Sequence, residues 1–91
     1  MNAYEIIVTS LANEHLRSIT EYIAYSLQAP ETALQWLDKT EEAISSLATM
    51  PLRFKLMDDE PWHSAGVRRM LEGNYHVYYR VEEAAGIVRV L

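Results

Sequence analysis

One stretch of this chain concentrates side chains that could do chemistry. Tyr75-His76-Val77-Tyr78-Tyr79-Arg80-Val81 alternates, and in a strand alternate residues face opposite ways. Tyr75, Val77, Tyr79 and Val81 then share a face suited to a core. His76, Tyr78 and Arg80 share the other. On an open sheet face, imidazole, phenol and guanidinium can hold a phosphodiester or exchange protons. They can equally form a solvated surface. Arg68 and Arg69 are consecutive, so at most one joins that face, where a guanidinium can hold a phosphate or a partner's carboxylate.

The remaining candidates are weaker. His15, His63 and His76 lie far apart and there is no cysteine, so no spacing suggests a metal site and none is expected. Asp58, Asp59 and Glu60 are adjacent and cannot all converge on one bond, which makes a solvated acidic loop the plain reading. Three scattered glycines build neither a phosphate loop nor a nucleophile elbow, and no cofactor is expected.

The elements that would position these residues can be read from periodicity. Tyr4 to Thr9 is β-branched and aromatic, as a short strand is. Ser10 is placed to cap a helix over Leu11 to Leu27, whose stripe is Leu16, Ile19, Ile23 and Leu27. Pro30 suits the first turn of a second helix reaching Thr49. Leu34, Leu37, Ile44 and Leu47 line its face, Ala33, Thr40 and Ala48 flank it, and Pro51 stops it. Leu52 to Ala65 reads as a loop with room for a short extended piece. Strands follow over Gly66 to Leu71, Tyr75 to Val81 and Ile87 to Leu91, with turns at Glu72–Asn74 and Glu82–Gly86. The order βααβββ predicts an α+β domain over 1–91, a small, mostly antiparallel sheet with an N-terminal helical hairpin on one face.

Composition narrows the function classes. Apolar residues make up 49% and charged residues 23%, as in a soluble globular domain. The start, Met1-Asn2-Ala3-Tyr4-Glu5, has no basic, apolar leader pattern, and no apolar run is long enough to span a membrane. A cytoplasmic location is expected. The net charge of −5 argues against strong nucleic-acid affinity, although Arg53, Lys55, Arg68, Arg69, Arg80 and Arg89 all fall in the C-terminal half.

Taken in order, these segments resemble the RelE/ParE toxins of bacterial type II toxin–antitoxin systems. The resemblance rests on Tyr4 to Ser10, Ile19-Thr20-Glu21-Tyr22-Ile23, Pro30-Glu31-Thr32-Ala33, Ile44-Ser45-Ser46-Leu47 before Met50-Pro51, Gly66-Val67-Arg68-Arg69, and Gly73 through Val81. Phe54 and Glu60-Pro61-Trp62 are similar to one branch. The resemblance implies a growth inhibitor neutralised by a cognate antitoxin, of the kind tied to plasmid stabilisation. ParE-like relatives poison DNA gyrase. RelE-like relatives cleave mRNA on the ribosome, and for that activity the resemblance implies His76, Tyr78 and Arg68 or Arg69 as catalytic groups.

RelE-like nucleases have an arginine where this chain has His76, and the family's last strand runs into a basic tail that this sequence, ending at Leu91, does not include. The acidic charge and the two long helices favour the ParE side. A third expectation is a relative that binds antitoxin but has lost its effector function. Because the toxin is acidic, apolar burial is expected to dominate the antitoxin complex, with little salt sensitivity.

Overall fold

The computed structural model describes residues 3–91. Met1 and Asn2, part of the N-terminal reading above, lie outside them. Strand β1 (Glu5–Val8) leads into helix α1 (Ser10–Glu21), which continues as a π-helical turn (Tyr22–Ser26). Helix α2 (Pro30–Ser45) follows and tightens into a 3₁₀ turn (Ser46–Ala48). After a second 3₁₀ turn (Pro51–Arg53) and a loop come β2 (Val67–Glu72), β3 (Tyr75–Glu82) and β4 (Ile87–Val90). The βααβββ order is as read from the sequence.

Several boundaries differ from that reading. Thr9, not Ser10, caps α1. Its extended backbone (φ −64°, ψ 159°) turns Oγ1 to accept the Ala12 N–H at 3.2 Å. The α-helical part of the first helix ends at Glu21. From Tyr22 the bonds lengthen to i→i+5, as in Leu27 N–H to Tyr22 O at 3.1 Å. The wider turn breaks the expected stripe, burying Ile23 and leaving Leu27 exposed. Gln28 then closes the helix in the left-handed region (φ 53°), and Ala29 N–H reaches back to Ile23 O.

In α2 the buried face is the small one. Ala33, Thr40 and Ile44 are buried, followed by Leu47 in the 3₁₀ turn, whereas Leu34 is exposed. Close packing of the two helices selects Ala33 and Thr40, whose hydroxyl is satisfied by Trp36 O at 2.8 Å.

The sheet runs β1-β4-β3-β2. β1 lies parallel to β4, and the other pairs are antiparallel. A short extended piece of the loop extends the sheet at the β2 edge. Leu56 bridges Arg68, Met57 N–H donates to Val67 O, and Arg69 N–H donates to Lys55 O. The core lies between the hairpin and one sheet face, built from Ala12, Ile44, Leu47, Met70, Val77, Tyr79, Val88 and Val90. Each large apolar side chain fully buried there is worth roughly 1.5–3 kcal/mol. Tyr79 is completely buried, and its hydroxyl donates to Pro51 O at 2.6 Å, tying the sheet centre to the linker after α2.

Candidate functional site: a hairpin–sheet groove and an open sheet face

The β2–β3 register sorts the candidate residues. Arg69 stands opposite Tyr78, Leu71 opposite His76 and Val67 opposite Arg80, all on the face away from the helices. There the Tyr78 hydroxyl is 3.5 Å from His76 Nδ1 and the two ring centroids are 6.2 Å apart. That distance is at the outer limit of a hydrogen bond. Arg68 points the other way. Its Nη1 donates to Phe54 O at 2.6 Å and Leu52 O at 3.3 Å, so the guanidinium clamps the linker. His76, Tyr78 and Arg69 are therefore brought together and Arg68 is not.

The cations of the open face are largely engaged. Arg89 grips Glu82 through Nε at 2.6 Å and Nη2 at 3.3 Å, and Arg80 approaches the same carboxylate at 3.6 Å. The Arg89 hydrogen bond holds the Glu82 carboxyl below its ordinary pKa; desolvation opposes it, and the charges of Arg89 and Arg80 add to the lowering. Arg69 makes no ion pair among the described residues, but it shares a small cleft with Asp58 and Asp59. Met57, Trp62, Val67, Tyr78 and Leu91 line a second cleft of about 310 Å³.

The acidic run disperses. Asp58 pairs with Lys55 at 3.2 Å, and Glu60 accepts from the backbone N–H and hydroxyl of Ser64, which lowers its pKa. His63 Nδ1 contacts Met57 O at 2.8 Å. Among the described residues, no three of His, Cys, Asp and Glu group as metal ligands do. Nor, among the described residues, is any helix long and apolar enough to cross a membrane.

The larger concavity lies where the helical hairpin diverges from the sheet. It holds about 430 Å³ and is lined by Ala12, His15, Leu16, Ser18 and Ile19 of α1, Trp36, Thr40 and Ile44 of α2, Tyr75, Val77 and, at its edge, His76 and Tyr78 of β3, and Val90 and Leu91. Leu16 and Ile19 are half-buried because their stripe forms a groove wall as well as a helix contact. The Trp36 and Tyr75 rings meet edge to face at 5.1 Å across it. Trp36 Nε1 is buried with no hydrogen-bond partner among the described residues, a deficit of about 1–3 kcal/mol.

The groove was not read from the sequence. Its one signal was a helix stripe richer in apolar residues than the short strands beneath it could cover. Arg53, in sequence only one of the cations of the C-terminal half, has a structural role. It donates to Thr49 O at 2.7 Å, Met50 O at 3.1 Å and Ser46 O at 3.3 Å, which satisfies carbonyls left over where α2 ends.

Comparison with known proteins places this architecture. A solved structure of the chromosomal ParDE TA system from P. aeruginosa is similar in fold. Its TM-score is 0.77 at 21% identity, over 98% of this chain and 91% of that one. No curated protein matches. Residues 6–91 match the family described as ParE toxin of type II toxin-antitoxin system, parDE. With nearly every element inside that match, from β1 through the hairpin to β4, the chain belongs to the ParE toxin family.

Proposed function

We propose that this chain is a growth-inhibiting toxin of the bacterial cytoplasm. A cognate antitoxin silences it by laying an apolar segment into the groove between hairpin and sheet, and its target is DNA gyrase rather than mRNA. The observation that carries the antitoxin part is the groove itself: about 430 Å³, with a mainly apolar lining and an aromatic pair, Trp36 and Tyr75, in its wall. A helix or strand with regularly spaced apolar residues is the partner such a concavity suits.

The charge distribution supports a protein target. The chain carries −5 overall, Glu82 occupies Arg80 and Arg89, and Arg68 is spent on backbone carbonyls. A surface that docks on RNA gains affinity by neutralising phosphates, and few unengaged cations are present here to do so. On this reading the toxin is not an enzyme.

One observation favours a second reading. Arg69, His76 and Tyr78 share the open face, and a ribosome-dependent endoribonuclease would use them. The discriminating experiment is induced expression of the chain and of His76→Ala without antitoxin, followed by gyrase supercoiling and ribosomal mRNA-cleavage assays. The proposal expects arrest by both proteins and loss of supercoiling. Arrest lost in His76→Ala together with mRNA cleavage by the parent chain would replace it with the nuclease. No arrest by the soluble parent chain would leave a relative that only binds antitoxin.

A further inference from the structure

The tip of the helical hairpin carries exposed apolar surface that the groove does not use. Tyr25 is 78% exposed, Leu34 61%, and Tyr22 and Leu27 each 56%. None of the four lines the groove. Four large apolar side chains exposed at one end of so small a protein are more than the single, scattered ones that need no explanation.

The tip is also anchored by packing and backbone hydrogen bonds. Ile23 and Ala33 are buried against each other's elements, and the i→i+5 bond of Leu27 fixes the turn. Had α1 stayed α-helical, Leu27 would follow Ile23 on the inward stripe four residues later. The π-helical turn rotates it outward instead. A local departure from regular helix that exposes a leucine costs stability, and such turns cluster at functional positions.

Charge indicates what covers the tip. Glu21 precedes Tyr25 by one helical turn, and Glu31 and Asp38 stand three residues before and four after Leu34, so all three carboxylates border the patch. Of the nearby cations, Arg17 is paired with Glu21 at 3.8 Å and Lys39 lies beyond Asp38. With Glu21 compensated by Arg17, Glu31 and Asp38 still leave the border of these apolar residues acidic, which disfavours phosphate and a second copy of the same surface. The patch fits a protein surface with an apolar hollow ringed by lysine and arginine.

We propose that the hairpin tip is the surface through which this toxin engages its target, a protein with a basic-rimmed apolar hollow, separately from the groove that receives antitoxin. The inference rests on the toxin reading above and adds where and with what chemistry the target binds.

Induced expression in bacteria tests it, with the wild-type chain, Tyr25→Ser combined with Leu34→Ser, Glu21→Lys combined with Asp38→Lys, and Leu11→Ser. Leu11 is 58% exposed at the other end of α1 and controls for lost surface apolarity. Thermal unfolding of each purified protein checks that it folds. The expected result is arrest by wild type and Leu11→Ser, and at least a hundredfold recovery of colony number for both tip variants. The two tip variants fail independently, so one misfolded protein does not decide the result. Folded tip variants that arrest growth as wild type does would overturn the tip assignment alone. No arrest by wild type would overturn the toxin reading and this proposal with it.

Discussion

Replacing Tyr79 by Phe removes one oxygen from the largest fully buried side chain of the sheet and nothing else. The hydroxyl donates at 2.6 Å to Pro51 O, in a residue that is itself buried. The net worth of such a bond is about 1 kcal/mol, and leaving a dry carbonyl without its donor raises the cost towards 3 kcal/mol. The expected loss for Tyr79→Phe is therefore about 2 kcal/mol. In a domain of this size that lowers Tm by roughly 8–16 °C.

The same hydroxyl gives an internal check. Burial raises its pKa above the ordinary tyrosine value, against the pull of Arg68 and Arg53. The folded state thus holds this proton more tightly than the unfolded chain. Its contribution is complete below the unfolded tyrosine pKa of about 10 and disappears as pH rises through the folded value. Urea unfolding from pH 8 to 11 should show wild type losing stability faster than Tyr79→Phe, so the two curves converge at the alkaline end. Every other titrating group is common to both proteins. A loss under about 0.5 kcal/mol at pH 8, or parallel curves throughout, would refute the reasoning.

Two further expectations concern the tip and the open face. Gln28→Gly relieves a left-handed backbone that costs a side-chain-bearing residue about 1 kcal/mol. Glycine's greater unfolded freedom offsets part of this, so a gain of about 0.5 kcal/mol is expected in the urea midpoint, and a loss would contradict the assignment. Glu82 has a depressed pKa, so its contribution is present above the unfolded carboxylate value and is lost as pH falls through the folded one. Glu82→Gln should flatten the acid limb of the stability curve without moving the neutral plateau by much, the pair being largely solvated.

The fold was legible because its signals were strong and local. Alternation in Tyr75 to Val81, the proline at α2's start and the turn at Gly73 each have one simple backbone solution. Which face of β3 meets the helices also followed, with Val77 and Tyr79 inside and His76 and Tyr78 outside. Legibility failed where two neighbouring residues could each serve, as with Thr9 and Ser10 at the cap. It failed again where packing overrode hydrophobicity, as with Ala33 buried and Leu34 exposed. The π-helical turn leaves no trace in spacing, because Ile23 and Leu27 look like ordinary stripe members. At the site, adjacency showed that Arg68 and Arg69 diverge but not which one faces outward. The groove depends on the angle between hairpin and sheet, which is a tertiary property absent from any one segment.

The parallel pairing of β1 with β4 bears on when the molecule can first act. Glu5 meets Ile87 and Val8 meets Val90, so the first strand's ladder partner is the final strand of the sheet. Long-range pairings of this kind form slowly, since the chain must close a large loop before any bond is gained. At synthesis rates of about 5–20 residues per second, the nascent protein spends several seconds with β1 unpaired. Neither wall of the groove's sheet side is complete until Val90 has been made and docked. The finished toxin thus arises only after translation has passed the last strand, an interval during which antitoxin already present in the cell can meet the chain as it folds.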